Sequence, residues 1–122
     1  MLDVKDKEIL FHIIDHSERV IDNIKNIKLD DFYNNRNLQD IVLFNIFQIG
    51  ELSKSLSDEF INEYNGVPWK QIKGMRDIIV HGYQSISYER TYNTAKKDIL
   101  DLYKYCKKIY KEWLLKWIIY IK

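Results

Sequence analysis

Proline occurs once and glycine four times in 122 residues, so the chain has few of the residues that build hairpins and positive-φ turns. That scarcity favours long helices joined by few breaks, and an all-α fold is expected. The single cysteine, Cys106, excludes an intramolecular disulfide, and no second ligand pair beside it suggests zinc. A reducing, cytoplasmic setting fits. Long apolar runs are also missing: the longest uncharged one, Trp117 to Ile121, is far below membrane-span length. Met1 to Lys7 lacks a basic region followed by an apolar core, so neither a signal peptide nor a membrane partner is expected. Internal repeats and low-complexity segments are absent apart from mild Lys, Ile and Asn enrichment.

What is present is an ordinary globular balance, with 46% apolar and 30% charged residues, which can support a folded core. The length suits a single domain over 1–122 and is too short for two. A net charge of +1 conceals an asymmetry. Residues 1–66 carry seven Lys and Arg against thirteen Asp and Glu, and residues 67–122 carry twelve against five. Either acidic early helices pack beside basic late ones, or the basic half also offers a surface to a polyanion.

Periodicity divides the chain into helices. Asp3 or Asp6 can cap a first one, in which Ile9, Ile13, Val20, Ile24 and Ile27 recur at helical spacing as far as Lys28. His12 and His16 stand four apart on it, a metal-binding spacing that nothing nearby completes. They are read as solvent-facing or core-edge residues, and no metal or other cofactor is expected. Asp30 to Asn35 reads as a polar connector. A second helix follows, with Leu38, Ile41, Val42, Asn45, Ile49, Leu52 and Leu56 on its inner stripe, widened by Phe44, Ile46, Phe47 and Phe60. Gly50 in its middle costs about 1 kcal/mol relative to alanine, which close approach of another helix would explain. Asn65-Gly66 and Pro68 mark the clearest break. The third helix then places Trp69, Ile72, Met75 and Ile79 on a buried stripe and ends at Gly82. Ser87 caps a long fourth helix with a stripe of Tyr92, Ala95, Ile99, Leu102, Cys106, Ile109 and Trp113. The segment from Trp113 to Ile121 is apolar all round and is expected to pack on the bundle, on a partner or on a second copy.

The third helix carries the chemistry. Met75-Arg76-Asp77-Ile78-Ile79-Val80-His81-Gly82-Tyr83 gathers a guanidinium, a carboxylate, an imidazole and a phenol at a helix end. Asp77 and His81, four apart, lie within about 40° of each other on a helix, so the carboxylate can orient the ring. Arg76 lies about 140° from His81 and converges on it only by bending across or where the helix ends. A helix C-terminus and Asp77 both favour the imidazolium, which would let His81 act as acid as well as base. Cleaving RNA without a metal needs a base for the 2′-OH, an acid for the leaving 5′-oxygen and positive charge on the phosphoryl oxygens. One chain offers one imidazole and one guanidinium, and two chains about a two-fold axis offer two of each. Tyr83 can stack on a base, hold a phosphate or simply pack.

Arg76-x4-His81, with a polar residue directly after the arginine, resembles the signature of HEPN domains, and the added x-Tyr83 resembles the HepT-like toxins of the HepT/MntA type. Ile49-Gly50-Glu51 and the lead-in from Trp69 to Arg76 are similar to segments of the same family, and the resemblance runs from about Lys5 to Leu102. It implies an antiparallel bundle of four to five helices acting as a homodimer, with Arg76 and His81 of both copies lining a cleft. The implied activity is that of a metal-independent endoribonuclease toxin leaving a 2′,3′-cyclic phosphate. The implied partners are RNA and an MntA-type minimal nucleotidyltransferase antitoxin, which would transfer AMP to Tyr83. Phosphates there would repel RNA and fill the cleft. In this frame His81 is the general acid/base, Arg76 binds phosphate and the transition state, and Asp77 orients His81. Glu51 is either a supporting residue or a surface carboxylate. The chain departs from the family in having Asp77 where asparagine is common, and its Trp- and Ile-rich end matches no family segment. The rival readings are a non-catalytic HEPN partner that binds nucleotide or presents substrate to a nucleotidyltransferase, and a purely structural dimerising module.

Overall fold

A computed structural model describes residues 3–82 and 85–122, and among them every regular element is helical. In order these are α1 (Val4–Ile24), α2 (Leu29–Tyr33), α3 (Arg36–Lys54), α4 (Asp58–Glu63), α5 (Trp69–Gly82), α6 (Tyr88–Asn93) and α7 (Ile99–Ile121). One π turn, Thr94–Asp98, joins α6 to α7 without a break. α1 packs against α3 on one side and α7 on the other, and α3 carries α5. Both pairings of α1 are antiparallel. Asp6 meets Ser57 and His16 meets Asn45 along the first, while Phe11 meets Tyr110 and Glu18 meets Tyr103 along the second.

Most of the expected stripe residues form the core, but Ile41 and Phe44 of α3 are exposed. Ile9, Ile13, Val20 and Ile24 of α1, Val42, Ile46 and Ile49 of α3, and Ile99, Leu102, Cys106 and Ile109 of α7 are all buried in one cluster. Cys106 is wholly enclosed, and burial pushes its thiol up to about 12. In α5 only Trp69 and Ile72 are buried outright, with Met75 and Ile79 half-covered on the cluster.

Several boundaries differ from the sequence reading, each for a local reason. α1 stops at Ile24, and Ile27 is held beyond it by the Tyr92 hydroxyl donating to its carbonyl at 2.5 Å. Asp30 to Asn35 is no mere connector, because most of it is α2. Asp30 and Asp31 sit in the first turn, where carboxylates suit the helix dipole, and Phe32 is fully buried. The Gln39 amide donates to the Phe32 and Tyr33 carbonyls at the helix end. The second long helix ends at Lys54 rather than running on to Phe60. Ser57 caps a separate α4 there by accepting from the Phe60 amide. The buried Asp6 carboxylate accepts from both the Ser57 amide, at 2.9 Å, and its hydroxyl, at 2.6 Å. Of the two candidate caps of α1, Asp3 does the capping, accepting from the Lys5 amide.

Candidate active site

Gly50 explains where the site sits. A Cβ there would stand 2.9 Å from the Arg76 Cβ, 3.0 Å from the Arg76 amide nitrogen and 3.2 Å from the Ile72 carbonyl oxygen. The absence of a side chain lets α5 lie directly on α3 at the start of the Arg-x4-His segment. Close approach was the expected reason for a mid-helix glycine, and it fixes the backbone of Arg76 itself.

The guanidinium emerges from this crossing into a set of opposed charges. Arg76 Nε lies 2.5 Å from Oε1 of Glu51, the residue directly after Gly50 on α3, and Nη1 donates to Asp77 Oδ1 at 3.1 Å. Nε is closed to solvent and no acceptor lies in line with its N–H, so the Glu51 contact is an ion pair rather than an aligned hydrogen bond. The Phe47 ring faces the guanidinium carbon at 5.9 Å. Lys54, which the motif did not single out, completes the cluster: its Nζ donates to Asp77 Oδ1 at 3.0 Å and stands 3.9 Å from Glu51 Oε1. Sequence reasoning missed it; the three-residue step from Glu51 on α3, which puts both on one face, is the signal for it.

The charges tune one another. Hydrogen bonds from Lys54 and then Arg76 hold the Asp77 carboxyl below its ordinary value, and the bond to Asp77 is the largest cause raising Arg76. All of these side chains keep solvent contact, with Arg76 the most covered at 30% exposure. Two cations and two carboxylates therefore form a near-neutral, wet cluster whose partners a phosphate can replace.

His81 is exposed in the last turn of α5, as the sequence suggested. Asp77 Oδ1 is engaged by Lys54 and Arg76. Glu51 lies against Arg76 rather than out on the surface alone. Tyr83 lies outside the described residues. His12 is exposed and edge-on to Phe11, whereas His16 is half-buried with Nδ1 2.8 Å from Asn45 Oδ1. Among the described residues no three His, Cys, Asp or Glu come together as a ligand set for a metal. Gly74, Asp77, Ile78 and His81 share the outer face of α5. Space around Gly74 is open, and Ile78 is 63% exposed.

Comparison with known proteins gives this geometry a context. A family profile described as "Ribonuclease HepT-like" matches residues 12–109. A gamma-glutamylcyclotransferase and candidate RNase of Methanocaldococcus jannaschii is 38% identical over 103 residues, covering 84% of this chain and 46% of its own length. This chain thus spans under half of that relative. A candidate RNase of Caldanaerobacter subterraneus is 36% identical over 100 residues, covering 82% of this chain and 89% of that one. A Thermococcus cleftensis protein named "Probable ribonuclease HepT" is 28% identical over 96 residues, covering 79% and 87%. No solved structure matches.

Proposed function

Because this chain belongs to the HepT-like ribonuclease family, we propose that it is a metal-independent endoribonuclease, the toxin of a HepT/MntA-type pair, working as a homodimer of one HEPN domain per chain in the cytoplasm. The observation that carries the reading is the Arg76 guanidinium fixed at the Gly50 crossing, with exposed His81 further along the same helix. In each turnover one His81 takes the 2′-OH proton as the 2′-oxygen attacks phosphorus. His81 of the other copy protonates the leaving 5′-oxygen, giving a 2′,3′-cyclic phosphate and a 5′-hydroxyl. The Arg76 pair holds the phosphoryl oxygens as their charge grows. Lys54 adds a second cation, and Glu51 positions Arg76. Asp77 serves the cations it already binds as well as the His81 ring.

Support for a second copy comes from the outer face of α5. Gly74 leaves room for close approach there, and Ile78 is exposed beside His81. A shared cleft on this face would supply the two imidazoles that the chemistry needs. Tyr83, two residues beyond His81, is the residue to which a minimal nucleotidyltransferase would transfer AMP, silencing the cleft by charge and bulk.

The pairing of both cations with carboxylates favours one competitor, a non-catalytic partner that presents nucleotide or substrate to a nucleotidyltransferase. RNA cleavage by purified protein in excess chelator separates the two, comparing the parent with His81→Ala after intact-mass analysis shows no AMP on Tyr83. Cleavage with cyclic-phosphate ends, lost in His81→Ala, is the expected result. Inertness of the unmodified parent over a broad RNA panel favours the competitor.

A further inference from the structure

The last buried position of α7 is Trp113, whose ring packs on Phe60 and Tyr64 and whose indole N–H donates to the Tyr64 hydroxyl. Beyond it Leu114–Ile121 continues as helix, and every one of these residues is exposed. Leu115, Trp117, Ile119, Tyr120 and Ile121 are more than half exposed, and Trp117 and Tyr120 stack only on each other. Lys116 is the one charged residue among these eight. So much uncovered aliphatic surface is unusual on a soluble monomer.

The preceding turns say what kind of surface would cover it. Lys104, Lys107, Lys108 and Lys111 are all exposed, on the side of α7 opposite the stripe of Leu102, Cys106, Ile109 and Trp113. Carrying that lysine side forward in steps of three and four leads to Leu114, Leu115 and Ile118. One face of the helix therefore passes from a basic band to an apolar tip. Across residues 104–122 there are six lysines and one acid, Glu112.

We propose that the distal end of α7 is a one-leaflet anchor for an anionic lipid surface, with the tip among the acyl chains and the lysine band at the phosphate level. Eight helical residues reach about 12 Å, against a hydrocarbon core of about 30 Å, so this stretch reaches into one leaflet. No helix among the described residues is long and apolar enough to span a membrane. Trp117 and Tyr120 are residue types that favour the lipid–water boundary, and the long lysine stems let their amines stay in the headgroups. This departs from the expectation of no membrane partner, which rested on the lack of a membrane-length apolar run and of a signal peptide.

Other occupants fit less well. Two tips joined together would offer far fewer than the roughly 20–30 residues a side of a stable interface, and would bring like-charged bands together. Single-stranded RNA stacks on aromatic rings, but Leu114, Leu115, Ile118, Ile119 and Ile121 give a base nothing to stack on or bond to. The tip also leaves the bundle where Phe60 meets Trp69, the start of α5. His81, twelve residues further along, is about 18 Å of helix away. A membrane-held tip therefore leaves the His81 face open, and the proposal does not depend on the ribonuclease reading.

Trp69 and Trp113 are buried, so Trp117 is the exposed tryptophan and the natural probe. The test is sedimentation of the full chain with phosphatidylcholine vesicles, with and without phosphatidylglycerol, together with quenching of tryptophan emission by lipids brominated on the acyl chain. Binding to the anionic vesicles with quenching that Trp117→Phe removes is expected. Replacing Lys107, Lys108 and Lys111 by glutamine should weaken binding roughly a hundredfold. Ile119→Asp should abolish it with the thermal unfolding curve unchanged, since that side chain is 73% exposed. Three results would overturn the proposal: no acyl-chain quenching, a tip-dependent dimer in buffer that ignores vesicles, or lysine-dependent RNA binding without vesicle binding.

Discussion

Asp77 is where charge and pH meet most directly. Its folded value lies below the ordinary 3.8 because Lys54 and Arg76 favour the carboxylate. A depressed acid stabilises the fold above its unfolded value, and that contribution is lost as pH falls through the folded value. Asp77→Asn should therefore lower the urea midpoint slightly at pH 7, and the difference from the parent should vanish as pH falls from 3.8 through the lower folded value. Exposure keeps the effect small. Asp6 should matter more although it lies outside the site. It is buried and accepts both Ser57 donors, so Asp6→Ala should cost about 1.5–3 kcal/mol in chemical unfolding. The Arg76 and His81 positions were legible because residue type and spacing carry them. The Ser57 partnership was not, since it joins residues 51 apart and no local pattern encodes so long-range a contact.

At the scale of elements, the meeting of α3 and α5 decides whether the site exists. Gly50→Ala gains about 1 kcal/mol of helix propensity, but the new methyl meets the Arg76 backbone and Cβ, which cannot swing away. Overpacking of this kind typically costs about 1–3 kcal/mol. A lower melting temperature is expected, with a larger proportional fall in RNA cleavage because Arg76 moves with α5. A variant as stable and active as the parent would remove the crossing from the account. Long stripes such as Ile99 to Trp113 were readable because burial repeats every three or four residues. α2 and α4 were not, being one or two turns long: nothing periodic announces the burial of Phe32, and Phe60 read as a continuation of the α3 stripe. The π turn was equally silent, because it shifts register by a single residue within a continuous helix.

For the whole molecule, the assembly prediction concerns the outer face of α5. Ile78→Glu adds charge to a position 63% exposed in the single chain, so the helical spectrum should not change. Light scattering should show two chains per particle in the parent and one in the variant, with cleavage lost alongside. A variant that stays dimeric would place the two-fold axis elsewhere. The two contacts of α1, with α3 and with α7, bear on the charge asymmetry of the sequence. The first helix does lie against the basic last one, with the Tyr103 hydroxyl donating to Glu18, yet the lysine band of α7 faces solvent and is not consumed by that packing. Finally, the lone cysteine offers a clock. Cys106 is fully enclosed between the long helices and its thiol is held protonated up to about 12, so an alkylating reagent can reach a thiolate only when α7 parts from its neighbours. Labelling followed by mass spectrometry would time that opening. One added mass per chain, arriving at the pace of the slowest amide exchange in α1, would mean that the two helices separate in a single event.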